Sequence, residues 1–127
     1  MLASVASICA GASAGALLRW LLSASLNALW PGVPLGTLLA NLLGGYLIGV
    51  AFAWIGANPA LPPELRLLVV TGFLGGLTTF STFSIEVVDA AQRGDHGSAA
   101  AIVLLHLAGS LACTVLGIAT YNGLRAA

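Results

Sequence analysis

Apolar positions in this chain neither alternate with polar ones at strand spacing nor gather on one stripe of an otherwise polar helix. They fill long runs on every side, and about 20 such residues in a row are enough to cross the hydrocarbon layer of a bilayer as an α-helix. Four runs reach that length. The first spans about Leu2 to Leu29, is interrupted by Arg19 and ends at the turn WPGVP, Trp30 to Pro34. The second, Gly36 to Ala57, is uncharged and stops at Asn58-Pro59, ahead of a Pro62-Pro63 loop with Glu64 and Arg66. The third starts near Leu67 and runs to about residue 91 through an amphipathic tail carrying Glu86 and Asp89. A polar stretch, Gln92 to Ser98, separates it from the fourth, Ala99 to about Asn122, with Arg125 just beyond. The connections are short. The pattern therefore predicts an all-α integral membrane protein, one domain over residues 1–127 with four transmembrane helices and no extramembrane catalytic module.

The few polar residues inside these runs are arranged, not scattered. Thr37, Asn41, Gly45 and Gly49 recur every four residues and share one face of the second helix, and His106, Ser110 and Thr114 do the same on the fourth. In the third span, GFLGGLTTFSTFS (Gly72 to Ser84) packs three glycines, five hydroxyls and three phenylalanines into thirteen residues. Glycines 72, 75 and 76 followed by Thr78 and Thr79 predict a helix weakened where it lies deepest. A broken helix is tolerated there only if its freed amides and carbonyls find partners in protein or water. Close helix approach is predicted at Gly11-x-x-x-Gly15, Gly45-x-x-x-Gly49, Gly72-x-x-x-Gly76, Gly109 and Gly117.

Composition agrees with the membrane reading and narrows the function. Only 6% of residues are charged, against the roughly one quarter that keeps a soluble domain solvated. Zero formal net charge leaves no basic face for nucleic acid and no acidic face for cationic substrates. Cys9 and Cys113 lie among small apolar neighbours, which suits packed thiols better than a disulfide or a metal site. The N-terminus lacks a basic region and a cleavage motif and reads as a retained first helix. Arg66 and Arg125 fall on one side of the membrane, Arg93 on the other and Arg19 within, so the arginines set no preferred orientation. A chain that inserts either way up can pair with an inverted copy, which makes an antiparallel homodimer plausible.

For individual residues two readings stand side by side. A Ser or Thr in a membrane helix ordinarily bonds back to its own backbone, yet a row of them on one face can line a path. Asn41 serves either as interhelical glue or as a donor with two N–H groups. Arg19 either snorkels beside Trp20 or faces a wet vestibule, where its charge would favour anions. Phe80 and Phe83, three apart, are core by spacing alone, but their electropositive ring edges would suit the route of a small anion. Trp30 and Trp54 suit the interface. Glu86 either lines the exit of the third helix on the side of Phe83 or, the preferred reading, is a solvated interfacial acid, and His106 reads as a bonded core histidine.

GALLRW (Gly15 to Trp20), GTLLAN (Gly36 to Asn41), GGLTTFSTFS (Gly75 to Ser84) and the His106, Ser110, Thr114 spacing together resemble the Fluc, or CrcB, family of fluoride channels, across essentially the whole chain and in order. The resemblance implies a dual-topology homodimer with two fluoride pores in a bacterial inner membrane, and a sodium ion at the dimer interface. It implies that the Gly75 and Thr78 carbonyls hold the sodium, that Phe80, Phe83 and Asn41 line the pore, that Ser110 and Thr114 with Ser81, Thr82 and Ser84 form a polar track, and that Arg19 stands in the vestibule. No carboxylate pair lies within that pore, so passive flow of fluoride out of the cytoplasm is expected, without catalytic turnover. Two other classes remain to be distinguished. A small multidrug-type antiporter needs a buried carboxylate in its first helix, where this chain has only Arg19. A structural subunit without transport would tolerate apolar replacements at Phe80 and Asn41.

Overall fold

Each of the four apolar runs folds as a helical span in the computed structural model, which describes residues Met1–Ala127 and contains only helices and their connections. Helix α1 is Leu2–Leu26, extended by a 3₁₀ turn at Asn27–Leu29, and α2 is Leu35–Ala57. The third span comprises α3, residues 63–77, and α4, Phe80–Gln92. The fourth is α5, His96–Ala126.

Span ends differ from the hydropathy boundaries where local caps take over. The third span begins at Pro63 rather than near Leu67, because proline at the first helical position has its φ preset and gives up only an N–H that would be unpaired anyway. The fourth begins at His96, three residues before the apolar run. Asp95 caps it by accepting the Ser98 N–H at 3.0 Å. Hydrogen bonds from the Ser98 side chain and backbone hold this exposed carboxyl below its usual range. Asp89 and Arg93, four apart near the end of α4, form an ion pair.

Glycines set how closely the helices approach. A Cβ on Gly11 or Gly15 of α1 would strike the backbone of α3, and one on Gly76 would strike Ala12. Between α2 and α5, Gly45 lies on the Ser110 backbone, Gly49 on Thr114, and Gly117 on Tyr46. Main chain against main chain is how helices gain dispersion contact in lipid, where burial from water offers nothing further. The two polar stripes, one on α2 and one on α5, thus face each other.

Two small apolar clusters flank the middle of the bundle. One joins Val33, Leu38, Phe83, Ala90, Ala99 and Ile102, and the other Ala40, Ala51, Leu74 and Leu77. Only 20 of the 127 residues are buried by the chain itself, so most of each helix surface meets lipid or another chain. Cys9 is exposed and not packed, since nothing in the chain covers that face of α1.

Candidate functional site

Midway along the third span the helix changes winding and then stops. Leu67–Leu74 is wound as a π-helix, and the Gly75 N–H accordingly reaches the Val70 carbonyl five residues back. One α-turn, Gly75–Leu77, follows. Thr78 (φ −83°, ψ 154°) and Thr79 (φ −149°, ψ 121°) are then extended before α4 starts at Phe80. An interruption at this depth strands amides and carbonyls that lipid cannot satisfy.

Most of them find partners in the chain. The Thr78 N–H and hydroxyl both donate to the Leu74 carbonyl, at 3.0 and 2.9 Å. Thr79 caps α4, its Oγ1 accepting the Thr82 N–H at 3.1 Å. Asn41 of α2 pairs with Thr79 as a second backbone strand would: Oδ1 accepts the Thr79 N–H at 2.8 Å and Nδ2 donates to the Thr79 carbonyl at 2.9 Å. Arg19 reaches across from α1, its Nε donating to the Gly76 carbonyl at 3.0 Å. No hydrogen bond outside the regular helices ends on the carbonyl of Gly75 or of Thr78. Gly75 is exposed on the chain surface.

Beside the break lies an open groove of about 500 Å³, walled by α2, the two halves of the third span and α5. Asn41, Gly75, Thr78, Phe80, Phe83 and Ser110 all line it. Phe80 stands at its rim, 73% exposed, while Phe83 is buried; their ring centres are 5.4 Å apart and tilted by 60°. Phe83 in turn stacks on His106 at 4.9 Å. The Ser110 hydroxyl makes no internal hydrogen bond, whereas the other hydroxyls of the expected track are engaged. Ser84 donates to the Phe80 carbonyl at 2.7 Å, and Thr114 to the Ser110 carbonyl at 2.9 Å. Thr82 accepts from the Thr79 hydroxyl at 3.0 Å, and Ser81 lies 3.4 Å from that same oxygen.

Thr114, Ser81, Thr82, Ser84 and Arg19 do not line the groove. Thr114 sits one turn along α5 from Ser110, the next three are on other faces of α4, and Arg19 is across α3.

A second polar cluster ties the end of α1 to α2 and α4. Asn27 Oδ1 accepts the Gly36 and Thr37 amides, at 2.8 and 3.1 Å, and its Nδ2 donates to Thr37 Oγ1 at 3.3 Å. The fully buried Thr37 hydroxyl donates to Glu86 Oε1 at 2.6 Å, while Glu86 Oε2 is buried without a partner. Glu86 is therefore not the solvated acid its place near the span end indicated. Asn27 was missed because it caps a helix nine residues away across a loop, beyond the usual local cap signal.

Comparison of the sequence with known proteins matches the chain to a family. Residues 6–118 match the family described as CrcB-like protein, Camphor Resistance (CrcB). The chain is 59% identical to the Fluoride-specific ion channel FluC of Tolumonas auensis, over 98% of both chains. It is 58% identical to the protein of the same name from Burkholderia cenocepacia (strain J2315), over 100% of this chain and 99% of the relative. A likeness of this extent, on four membrane spans with a polar groove at their centre, means that the chain belongs to the CrcB family of multi-pass membrane proteins.

Proposed function

We propose that the chain is one subunit of a fluoride-selective channel that releases cytoplasmic fluoride passively down its electrochemical gradient. The observation that carries this reading is the groove beside the break, where the free Ser110 hydroxyl, the Asn41 amide and the Phe80 and Phe83 rings meet in the middle of a membrane span. Fluoride is small and tightly hydrated. It enters only where fixed donors and positive ring edges replace its water, and a narrow site of that kind excludes larger halides. The names of the bacterial relatives support the same ion.

The functional unit in this reading is an antiparallel homodimer with two pores. Gly75 is exposed, its carbonyl and that of Thr78 receive no hydrogen bond from outside the regular helices, and Phe80 projects from the rim. In lipid an unpaired carbonyl costs several kcal/mol, on the order expected for a buried polar group without a partner. A second copy lying over this face would cover it, and the absence of an arginine bias allows that copy to be inverted. Sodium belongs to the same reading. Carbonyl oxygens suit a hard cation, and the Gly75 and Thr78 carbonyls of the two copies would hold it, the ion supplying a fixed positive charge between the two broken helices. Arg19, by binding the Gly76 carbonyl, adds a further positive charge beside the break.

Purified protein in liposomes loaded with fluoride or chloride tests the reading, with efflux followed by ion-selective electrodes. Fluoride is expected to leave quickly, chloride to stay, and Phe80→Ile to slow fluoride. Equal efflux of both halides, or none of fluoride, overturns it. Crosslinking between copies that yields only same-way-up pairs overturns the antiparallel arrangement.

A further inference from the structure

We infer that His106 is a positioning residue for conduction, acting through Asn41; the inference deepens the fluoride reading above and rests on it. Asn41 has two N–H groups and one carbonyl oxygen to satisfy. Its pairing with Thr79 admits only one orientation of the carboxamide, because the flipped amide would set NH₂ against the Thr79 N–H and oxygen against the Thr79 carbonyl. One Asn41 N–H is thereby committed to Thr79. The other points at His106 Nδ1, 3.0 Å away.

A donor facing Nδ1 requires that nitrogen to carry no proton, so the neutral ring holds its hydrogen on Nε2. The ring is held in place independently of this bond. His106 is 3% exposed and its face stacks on Phe83, while α5 is fixed to α2 through the Gly45 and Ser110 contact one turn away. His106 Nε2 has no partner within the chain, so Nδ1 is the nitrogen that the fold uses.

The chain of effects runs from α5 to the pore in two steps. His106 fixes the carboxamide of Asn41, and Asn41 fixes the extended pair Thr78 and Thr79 that separates α3 from α4. Losing the Nδ1 acceptor leaves a buried N–H unpaired and frees the Asn41 side chain to rotate away from Thr79. The Asn41 N–H given to His106 is also the one a passing fluoride can take over without opening the Thr79 pairing. His106 thus holds that donor in readiness.

Two replacements separate acceptor from bulk. His106→Phe keeps a ring to stack on Phe83 but removes the acceptor, and fluoride efflux is expected to fall about ten-fold or more, the scale of one lost buried hydrogen bond. His106→Gln supplies a carbonyl oxygen and is expected to restore efflux to within about three-fold of the unaltered protein. Efflux through His106→Phe at the unaltered rate overturns the proposal, as does an equal loss in both variants.

The tautomer is read independently of transport by long-range proton–nitrogen correlation spectra of nitrogen-labelled protein in nanodiscs. The neutral ring is expected to carry its proton on Nε2, and a ring protonated on Nδ1 overturns the proposal whether or not the variants fold. If the unaltered protein carries no fluoride at all, the channel reading fails while the tautomer result still decides the His106 to Asn41 bond.

Discussion

Asn41 and Thr79 lie 38 residues apart in sequence and are joined through both heteroatoms of the asparagine amide, at 2.8 and 2.9 Å. A side chain from one span therefore completes the backbone of another. Replacing Asn41 by leucine, of similar size, strands the Thr79 N–H and carbonyl together. At about 1–3 kcal/mol for each unpaired buried group, Asn41→Leu should lose about 2–6 kcal/mol of stability, read from its unfolding midpoint in detergent. Its fluoride efflux should fall with it.

Thr37 and Glu86 offer a graded test of the second polar cluster. Thr37→Val keeps the shape but takes away the only hydrogen bond made by Glu86 and the acceptor for Asn27. It should cost about 1–3 kcal/mol. Glu86→Gln leaves an oxygen that still accepts from Thr37 and should cost less. An equal or reversed order in the unfolding midpoints would show that the bond adds nothing.

Gly15 and Gly56 should respond oppositely to the same added methyl. A Cβ on Gly15 meets the Phe73 carbonyl and the Leu77 amide of α3, so Gly15→Ala should push the helices apart at a cost of about 1–3 kcal/mol. Gly56, near the end of α2, has nothing within 4 Å, so Gly56→Ala should be neutral or stabilising by up to about 1 kcal/mol. Thermal unfolding of the two variants in one detergent checks both.

Acid should loosen the start of α5 before it disturbs the break. The folded-state pKa of Asp95 is lowered by its hydrogen bonds from Ser98. The cap therefore contributes above the usual carboxylate range and is lost as pH falls through the depressed value. Intrinsic exchange rates change with pH, so the measured quantity is protection relative to the unfolded chain. Protection of the Ser98 amide should drop well below the ordinary aspartate range, and in Asp95→Ala it should be low at every pH.

Sodium dependence is tested by exchange of salts. If the Gly75 and Thr78 carbonyls of two copies hold the ion, replacing sodium with a bulky organic cation throughout purification should lower the dimer fraction and the unfolding temperature, and adding sodium back should restore both. Unchanged dimer and temperature would remove the ion from the reading.

What could be read from the chain before folding follows from the range of each signal. Four spans were legible because membrane crossing depends on length and hydropathy alone. The stripes Thr37, Asn41, Gly45 and His106, Ser110, Thr114 were legible because helical spacing places them on one face, and the glycines mark where those faces touch. Partners were not legible. Nothing local ties Asn41 to Thr79, Arg19 to the Gly76 carbonyl, or Asn27 to the start of α2. The Asp95 to Ser98 cap was written in the sequence, but hydropathy passes over a polar first turn. For the same reason hydroxyl spacing alone did not separate Ser110, left free beside the groove, from Thr114 and Ser84, which bond to their own helices.

The π-wound segment Leu67–Leu74 gives the third span a fixed count of residues. Each residue of a helix turns its successors by about 100°. A π-turn holds about one residue more than an α-turn, so a one-residue deletion there would let the wide coil relax to ordinary winding and leave Thr79 close to its present facing toward Asn41, whereas an insertion would swing Thr79 aside. The linker ahead of Pro63 is under no such rotational constraint, so added residues should be tolerated in that linker and refused within the coil.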